Sequence, residues 1–221
     1  MRKALIRIGL AAILFFLLCA PLTSFAQESE QLFSFEKVKK SGTLWKMFGS
    51  RWKTVAKINR ISPERIKEGM TLKVPYDWEA AEKYTPMPRE LPGLEGKFIL
   101  IDLVEQAFGA YENGTLVLWG PISSSAGRVE CGKQDKKKRK CVTPTGNFKI
   151  LEKKKDDFSN DYPPPHGGAP MPYSQRFYGP YKIHEGALPG YPDSHGCIRV
   201  LHYDAVWLFK WTNKKTVIII T

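Results

Sequence analysis

The stretch Phe98-Ile99-Leu100-Ile101, then Ala107 to Tyr111, Glu112-Asn113-Gly114 and Thr115-Leu116-Val117-Leu118-Trp119 decides the fold class. Asn113-Gly114 separates two apolar runs. That dipeptide accepts the positive φ angles of a two-residue turn, which makes it the strongest short-range hairpin signal. Further along, Asn147 to Leu151, Phe177 to His184 and Thr216 to Ile220 read as strands. Asp204 to Trp211 reads as one short amphipathic helix, with Asp204 suited to its first turn. Residues 97–221 are therefore expected to form a mostly β domain with one short helix. Lys153 to Gln175 interrupts it with Pro163-Pro164-Pro165 and Gly167-Gly168. An irregular insert of this length in a compact domain reads as a lid or binding loop, with a plain surface excursion as the alternative.

The chemistry concentrates in Tyr181-Lys182-Ile183-His184 and Ser194-His195-Gly196-Cys197-Ile198-Arg199-Val200. A thiol is a useful nucleophile only as thiolate, which requires a nearby imidazole or positive field. A strand–loop–strand path brings His184 toward Cys197. Gly196 frees the backbone to turn N–H groups toward an oxyanion. Arg199 falls on the same strand face as Cys197 and suits a substrate carboxylate. His184, His195, Cys197 and His202 are equally compatible with zinc ligation, although His-x-Cys lacks the spacing of a structural finger. A buried inert cysteine is the third reading.

Ser194-His195-Gly196-Cys197-Ile198-Arg199 after Ile183-His184 resembles the signature of the L,D-transpeptidase catalytic domain (YkuD-like family). Thr143-Pro144-Thr145-Gly146-Asn147-Phe148, Met171-Pro172-Tyr173 with Phe177, and Asp204-Ala205 with Leu208 resemble other segments of that domain. The resemblance covers residues 97–221. It implies a β-rich sandwich-type domain with Cys197 as nucleophile and His184 as general base. The backbone carbonyl of Glu185 would orient the imidazole. Ser194, His195 and Gly196 would shape the oxyanion site, and Arg199 would stabilise the loop or the substrate. The implied reaction is acyl transfer. Cys197 cleaves the diamino acid–D-Ala bond of a peptidoglycan tetrapeptide stem and hands the thioester to an amine, giving a 3→3 cross-link. Water or a lipoprotein lysine as acceptor would make it an L,D-carboxypeptidase or an anchoring enzyme. Neither a cofactor nor a metal is implied.

Residues 35–75 read as a small module. Leu44, Trp45 and Phe48 share one helical face, Trp52, Val55, Ala56 and Ile58 another, and Ser62 with Pro63 suits the cap of a third turn. Phe35 to Lys39 and Met70 to Pro75 read as strands around them. Val38, Gly42-Thr43-Leu44, Asn59, Ile66, Gly69, Leu72, Val74 and Pro75 resemble a LysM peptidoglycan-binding module, an α+β unit in βααβ order. Residues 76–96, with Pro86, Pro88 and Pro92, read as a semi-rigid linker.

The N-terminus reads as an export signal over residues 1–26. It carries Arg2, Lys3 and Arg7, an apolar run from Leu10 to Leu18, and Ser24-Phe25-Ala26 before Gln27. The run is short for a bilayer span, and no second span follows. Cys19 raises a lipoprotein reading, but Leu18 precedes it where a small residue is preferred. Export to the periplasm or cell wall means an oxidising compartment. Of Cys131, Cys141 and Cys197, parity suggests one bridge and one free thiol. Cys131 and Cys141 flank a polar loop, and a bridge there would contribute roughly 2–3 kcal/mol; two free cysteines are the alternative. The formal net charge of +12 favours anionic partners. The Lys136 to Lys140 run suits a solvated loop or an anionic wall better than nucleic acid, which export removes. The expected partner is peptidoglycan, both stem peptides and glycan. A wall-anchored adhesion factor with a degenerate core is the binding-class alternative; intact His184 and Cys197 argue against it.

Overall fold

A computed structural model describes residues 32–127, 141–163 and 165–221. The expected signal with Cys19, and the segment holding Cys131 and Lys136 to Lys140, lie outside the described residues.

The N-terminal part is a two-stranded antiparallel sheet with two helices between its strands. β1 (Phe33–Lys37) pairs with β2 (Thr71–Pro75) from Phe33↔Pro75 to Lys37↔Thr71. Between them lie α1 (Leu44–Phe48), a 3-10 turn (Gly49–Arg51), α2 (Trp52–Ile58) and a second 3-10 turn (Pro63–Arg65). Thr43 starts α1 by accepting the Lys46 N–H at 3.1 Å. Leu44, Val55 and Ala56 meet Val38, Leu72 and Val74 in a small core. Asn59 ties the end of α2 to β2, donating to the Lys73 carbonyl at 2.8 Å and accepting the Lys73 N–H at 2.7 Å.

The segment 76–96 does more than connect. Trp78–Lys83 forms α3, capped by Asp77. Met87 is buried. The chain then runs along the hairpin, with Tyr111 donating to the Pro88 carbonyl at 2.8 Å and Trp119 Nε1 to the Tyr84 carbonyl at 2.8 Å. The prolines alone read as a spacer; the large rings that cover this stretch come from strands remote in sequence.

The rest is one nine-stranded sheet. Its strands are β3 (Lys97–Asp102), β4 (Ala107–Glu112), β5 (Thr115–Ser123), β6 (Gly146–Lys149), β7 (Glu152–Lys154), β8 (Ser174–Tyr178), β9 (Tyr181–Glu185), β10 (Ile198–Val200) and β11 (Val217–Ile220), in the order β6-β11-β3-β4-β5-β10-β9-β8-β7. Asn113 and Gly114 take φ of 52° and 82°, as the β4–β5 turn requires. The run Phe177 to His184 divides at Gly179-Pro180 into β8 and β9, because proline cannot continue the ladder. The sheet curls over: Phe148 on β6 lies 5.3 Å from Phe177 on β8, although six strands separate them in the sheet order. Ile99, Ile101, Ile183, Ile198, Val200 and Ile218 meet in the enclosed core, closed by Ala205 and Leu208 of α4 (His202–Trp211).

Two strand pairs are parallel, β11 with β3 and β10 with β9. Parallel neighbours cannot be joined by a tight turn. The chain must therefore leave β9, travel back along the sheet through residues 186–197, and enter β10.

Candidate active site

Strand register places the site. Ile198 pairs with Ile183, Arg199 with His184 and Val200 with Glu185. Ile183, Ile198 and Val200 are buried in the core. Side chains alternate along a strand, so His184, Arg199 and Lys182 occupy the opposite face, joined by Cys197 one step before β10. The electrostatics agree: Arg199, Lys182 and Asp157 act on both His184 and Cys197.

His184 is buried, with its Nδ1 2.6 Å from the Glu185 carbonyl oxygen. That contact fixes the tautomer with the proton on Nδ1 and leaves Nε2 as a base. Burial holds the imidazole down to a pKa of about 4, with Arg199 and Lys182 acting in the same direction. Cys197 faces the Pro180 carbonyl at 3.9 Å. Burial pushes its thiol up, opposed by Lys182 and Arg199. Burial therefore disfavours the charged form of each group and works against the thiolate–imidazolium pair that a nearby imidazole suggests.

The turn before Cys197 is built from backbone and hydroxyls. Ser194 is buried; its Oγ donates to the Cys197 carbonyl at 2.5 Å and accepts the Gly196 N–H at 3.1 Å. Thr143 Oγ1 donates to the Gly196 carbonyl at 3.0 Å. Gly196 has φ of 117°, and a Cβ there would come within 2.4 Å of the Tyr181 ring. Only glycine fits both constraints. Arg199 Nη1 lies 3.4 Å from Asp193 Oδ2, so it braces the loop's far end. Glu185 carries a second contact, Oε2 at 2.8 Å from His202 Nδ1.

His195 lies flat against Tyr162, with ring centroids 3.8 Å apart and planes inclined at 22°. Tyr162 comes from the irregular insert, and its hydroxyl lies 3.9 Å from Cys141 Sγ. Cys197 is among the groups that raise the Tyr162 pKa, after burial and Asp161. The insert therefore reaches the mouth of the site. Cys141 is disulfide-bonded, and Cys197 is the free cysteine among the described residues. No three His, Cys, Asp or Glu side chains cluster as metal ligands among the described residues.

Three features escaped the sequence reading. Ser123 ends β5, and with Ser124 and Ser125 just beyond it grips the motif: Asp193 N–H and Ser194 N–H donate to the Ser124 carbonyl at 3.0 and 2.9 Å, and Ser125 bridges Ser194. Lys182 forms an ion pair with Asp157 at 2.7 Å, and Ser174 donates to the same oxygen at 2.6 Å. Burial alone would raise Asp157, but Lys182 and Ser174 hold it below the usual carboxylate range. Tyr162 is the third. Only the serine run left a trace in the sequence, as three hydroxyls at the end of a strand.

Among curated proteins none matches this chain. Among solved structures, an L,D-transpeptidase from Xylanimonas cellulosilytica is similar at 26% identity and a TM-score of 0.56, over 76% of this chain and 77% of that one. An L,D-transpeptidase from Stackebrandtia nassauensis is 20% identical over 60% of this chain and 58% of its own, with a TM-score of 0.48. One from Enterococcus faecium is 20% identical over 58% and 50%, also at 0.48. The family model of the YkuD L,D-transpeptidase catalytic domain matches residues 96–220. That match takes in the whole curled sheet, the serine grip and the Ser194–Arg199 motif alike, and the chain belongs to the L,D-transpeptidase catalytic-domain family.

Proposed function

We propose that the protein is an exported cysteine acyltransferase that cross-links peptidoglycan. The observation that carries this reading is the shared sheet face of Cys197 and His184, inside a match to the L,D-transpeptidase catalytic domain. With burial disfavouring both charges, the thiol proton passes to His184 Nε2 as the sulfur attacks, by general-base catalysis. The carbonyl attacked belongs to the diamino acid of a tetrapeptide stem. The C–N bond to the terminal D-Ala breaks, and the proton held on His184 goes to the departing amine. A thioester on Cys197 remains. An amine of a second stem then attacks it, forming the new amide and returning the thiol. The turn of Ser194, His195 and Gly196 shapes the space for the oxyanion. Since the Gly196 N–H is spent on Ser194, the motif's other backbone donors carry that charge.

The N-terminal module is proposed as the wall-binding part, of LysM type. Its βααβ order and two-stranded sheet support this, as do the structural roles of Thr43, Asn59 and Val74. The export signal and the Cys131–Cys141 bridge are proposed with it. Among the described residues no helix is long and apolar enough to cross a membrane.

Mass spectrometry of the purified protein with disaccharide-tetrapeptides tests the reading. A thioester on Cys197 with loss of D-Ala, followed by a cross-linked dimer, is the expected result. A tripeptide alone would mean water is the acceptor. No covalent adduct under any condition would reject the enzymatic reading.

A further inference from the structure

The crossover 186–197 sets where the Cys197 sulfur stands, because the nucleophile lies at its end. Its two ends are held by the catalytic domain. At the start, Gly186 N–H donates to the Val200 carbonyl at 3.1 Å, and the Arg199 stem lies where a Cβ on Gly186 would project, 2.9 Å away. At the finish, Ser123 and Ser124 take the Asp193 and Ser194 N–H groups. The middle is held from outside that domain. Leu188 is fully buried, and both of its backbone polar groups pair with Ser62: the Leu188 N–H donates to Ser62 Oγ at 2.9 Å, and the Ser62 N–H donates to the Leu188 carbonyl at 2.8 Å. Ile61 makes an antiparallel bridge to Pro189. Ile61 and Ser62 are themselves buried. The sequence suggests that Ser62 caps the turn beginning at Pro63, yet its side chain makes no capping bond; the hydroxyl serves the crossover instead.

We infer that Ile61 and Ser62 of the N-terminal module are positioning residues of the active site, completing the loop that carries Cys197. A buried N–H must find a partner. Without the Ser62 hydroxyl, the Leu188 N–H is satisfied only if the crossover shifts, and a displacement of about 1 Å at a reacting atom costs on the order of 100-fold in rate. The inference rests on Cys197 being the reacting thiol.

The test uses the full chain and three proteins: wild type, Ser62→Ala and Lys57→Ala. Lys57 packs on the Trp119 ring at 4.2 Å, so its loss weakens docking of the same module without touching the crossover. The readouts are Tm, the rate of Cys197 alkylation by iodoacetamide, and kcat and KM for acylation by a disaccharide-tetrapeptide. Ser62→Ala is expected to lose tenfold or more in alkylation rate and kcat, with KM within twofold. Lys57→Ala is expected to lower Tm by as much while both rates stay within twofold. Rates for Ser62→Ala within twofold of wild type, or losses in both variants that simply track Tm, would overturn the inference. Should Ser62→Ala not fold, Ile61→Val trims one methylene beside the bridge and is expected to slow alkylation at least threefold; an unchanged rate overturns the inference equally. If wild type forms no thioester, the transpeptidase reading fails, while the alkylation comparison still decides the positioning role.

Discussion

The Nδ1 of His184 lies 2.6 Å from the carbonyl oxygen of Glu185, the residue that follows it. This contact makes the imidazole a base through Nε2 whatever side chain position 185 carries, since the backbone supplies the acceptor. The Glu185 carboxylate turns away from the proposed base and meets His202 instead.

The first prediction concerns pH. The Cys197 thiol is pushed up by burial, so alkylation by iodoacetamide in the native enzyme should reach half its maximal rate above the ordinary thiol value of about 8.5. His184 is held down to about 4, so it stays an unprotonated base across neutral pH. His184→Ala should lower transfer by roughly 10²–10⁴-fold, the range for losing a general base. An alkylation midpoint well below 8 would restore the ion-pair picture and defeat the neutral one.

The same lowered value carries a stability consequence. An unfolded histidine titrates near 6.5, so the folded state binds this proton less tightly than the unfolded state. The contribution is fully present above pH 6.5 and is lost as pH falls through about 4. Replacing His184 with Asn should flatten the fall of Tm between pH 7 and pH 4. Parallel Tm curves for the two proteins would contradict the assignment.

Cys197→Ala should abolish the adduct with tetrapeptide substrate and with carbapenems, which resemble the acyl donor for this family. Intact-mass spectra check this directly. A stoichiometric adduct on the alanine variant would move the nucleophile elsewhere.

Gly196→Ala should be folded but inactive. It forces an L side chain to φ of 117° and into the Tyr181 ring. Activity within tenfold of wild type would mean the turn relaxes cheaply, against the geometry described.

Tyr162→Ala removes the ring against His195. A stacked aromatic pair contributes about 0.5–1.5 kcal/mol, so a two- to tenfold loss in kcat/KM is expected, with Tyr162→Phe close to wild type. If Phe is as poor as Ala, the hydroxyl rather than the stack is what matters.

The β domain was legible because its signals are local. Asn113-Gly114 specifies a turn by its own backbone preferences, and the runs around it alternate or stay apolar as strands must. The motif around Cys197 was legible through its resemblance to the L,D-transpeptidase signature, since the residues by themselves also admitted zinc ligation or a buried inert cysteine. What stayed hidden depends on partners distant in sequence. Nothing near Ser62 signals Leu188, and nothing near Tyr162 signals His195. The direction of the Cys197 and His184 pKa shifts was hidden for the same reason, since a shared strand face is readable but the packing over it is not.

The docking of the N-terminal module has a geometric consequence. A domain on a flexible tether samples a volume, and its reach is set by tether length. Here α2 and the Ser62–Leu188 contact fix the module against the catalytic sheet. Any surface that holds the module therefore holds the thiol at one height and one tilt above it, so reach is a property of shape, and lengthening residues 76–96 without breaking the contacts would leave it unchanged.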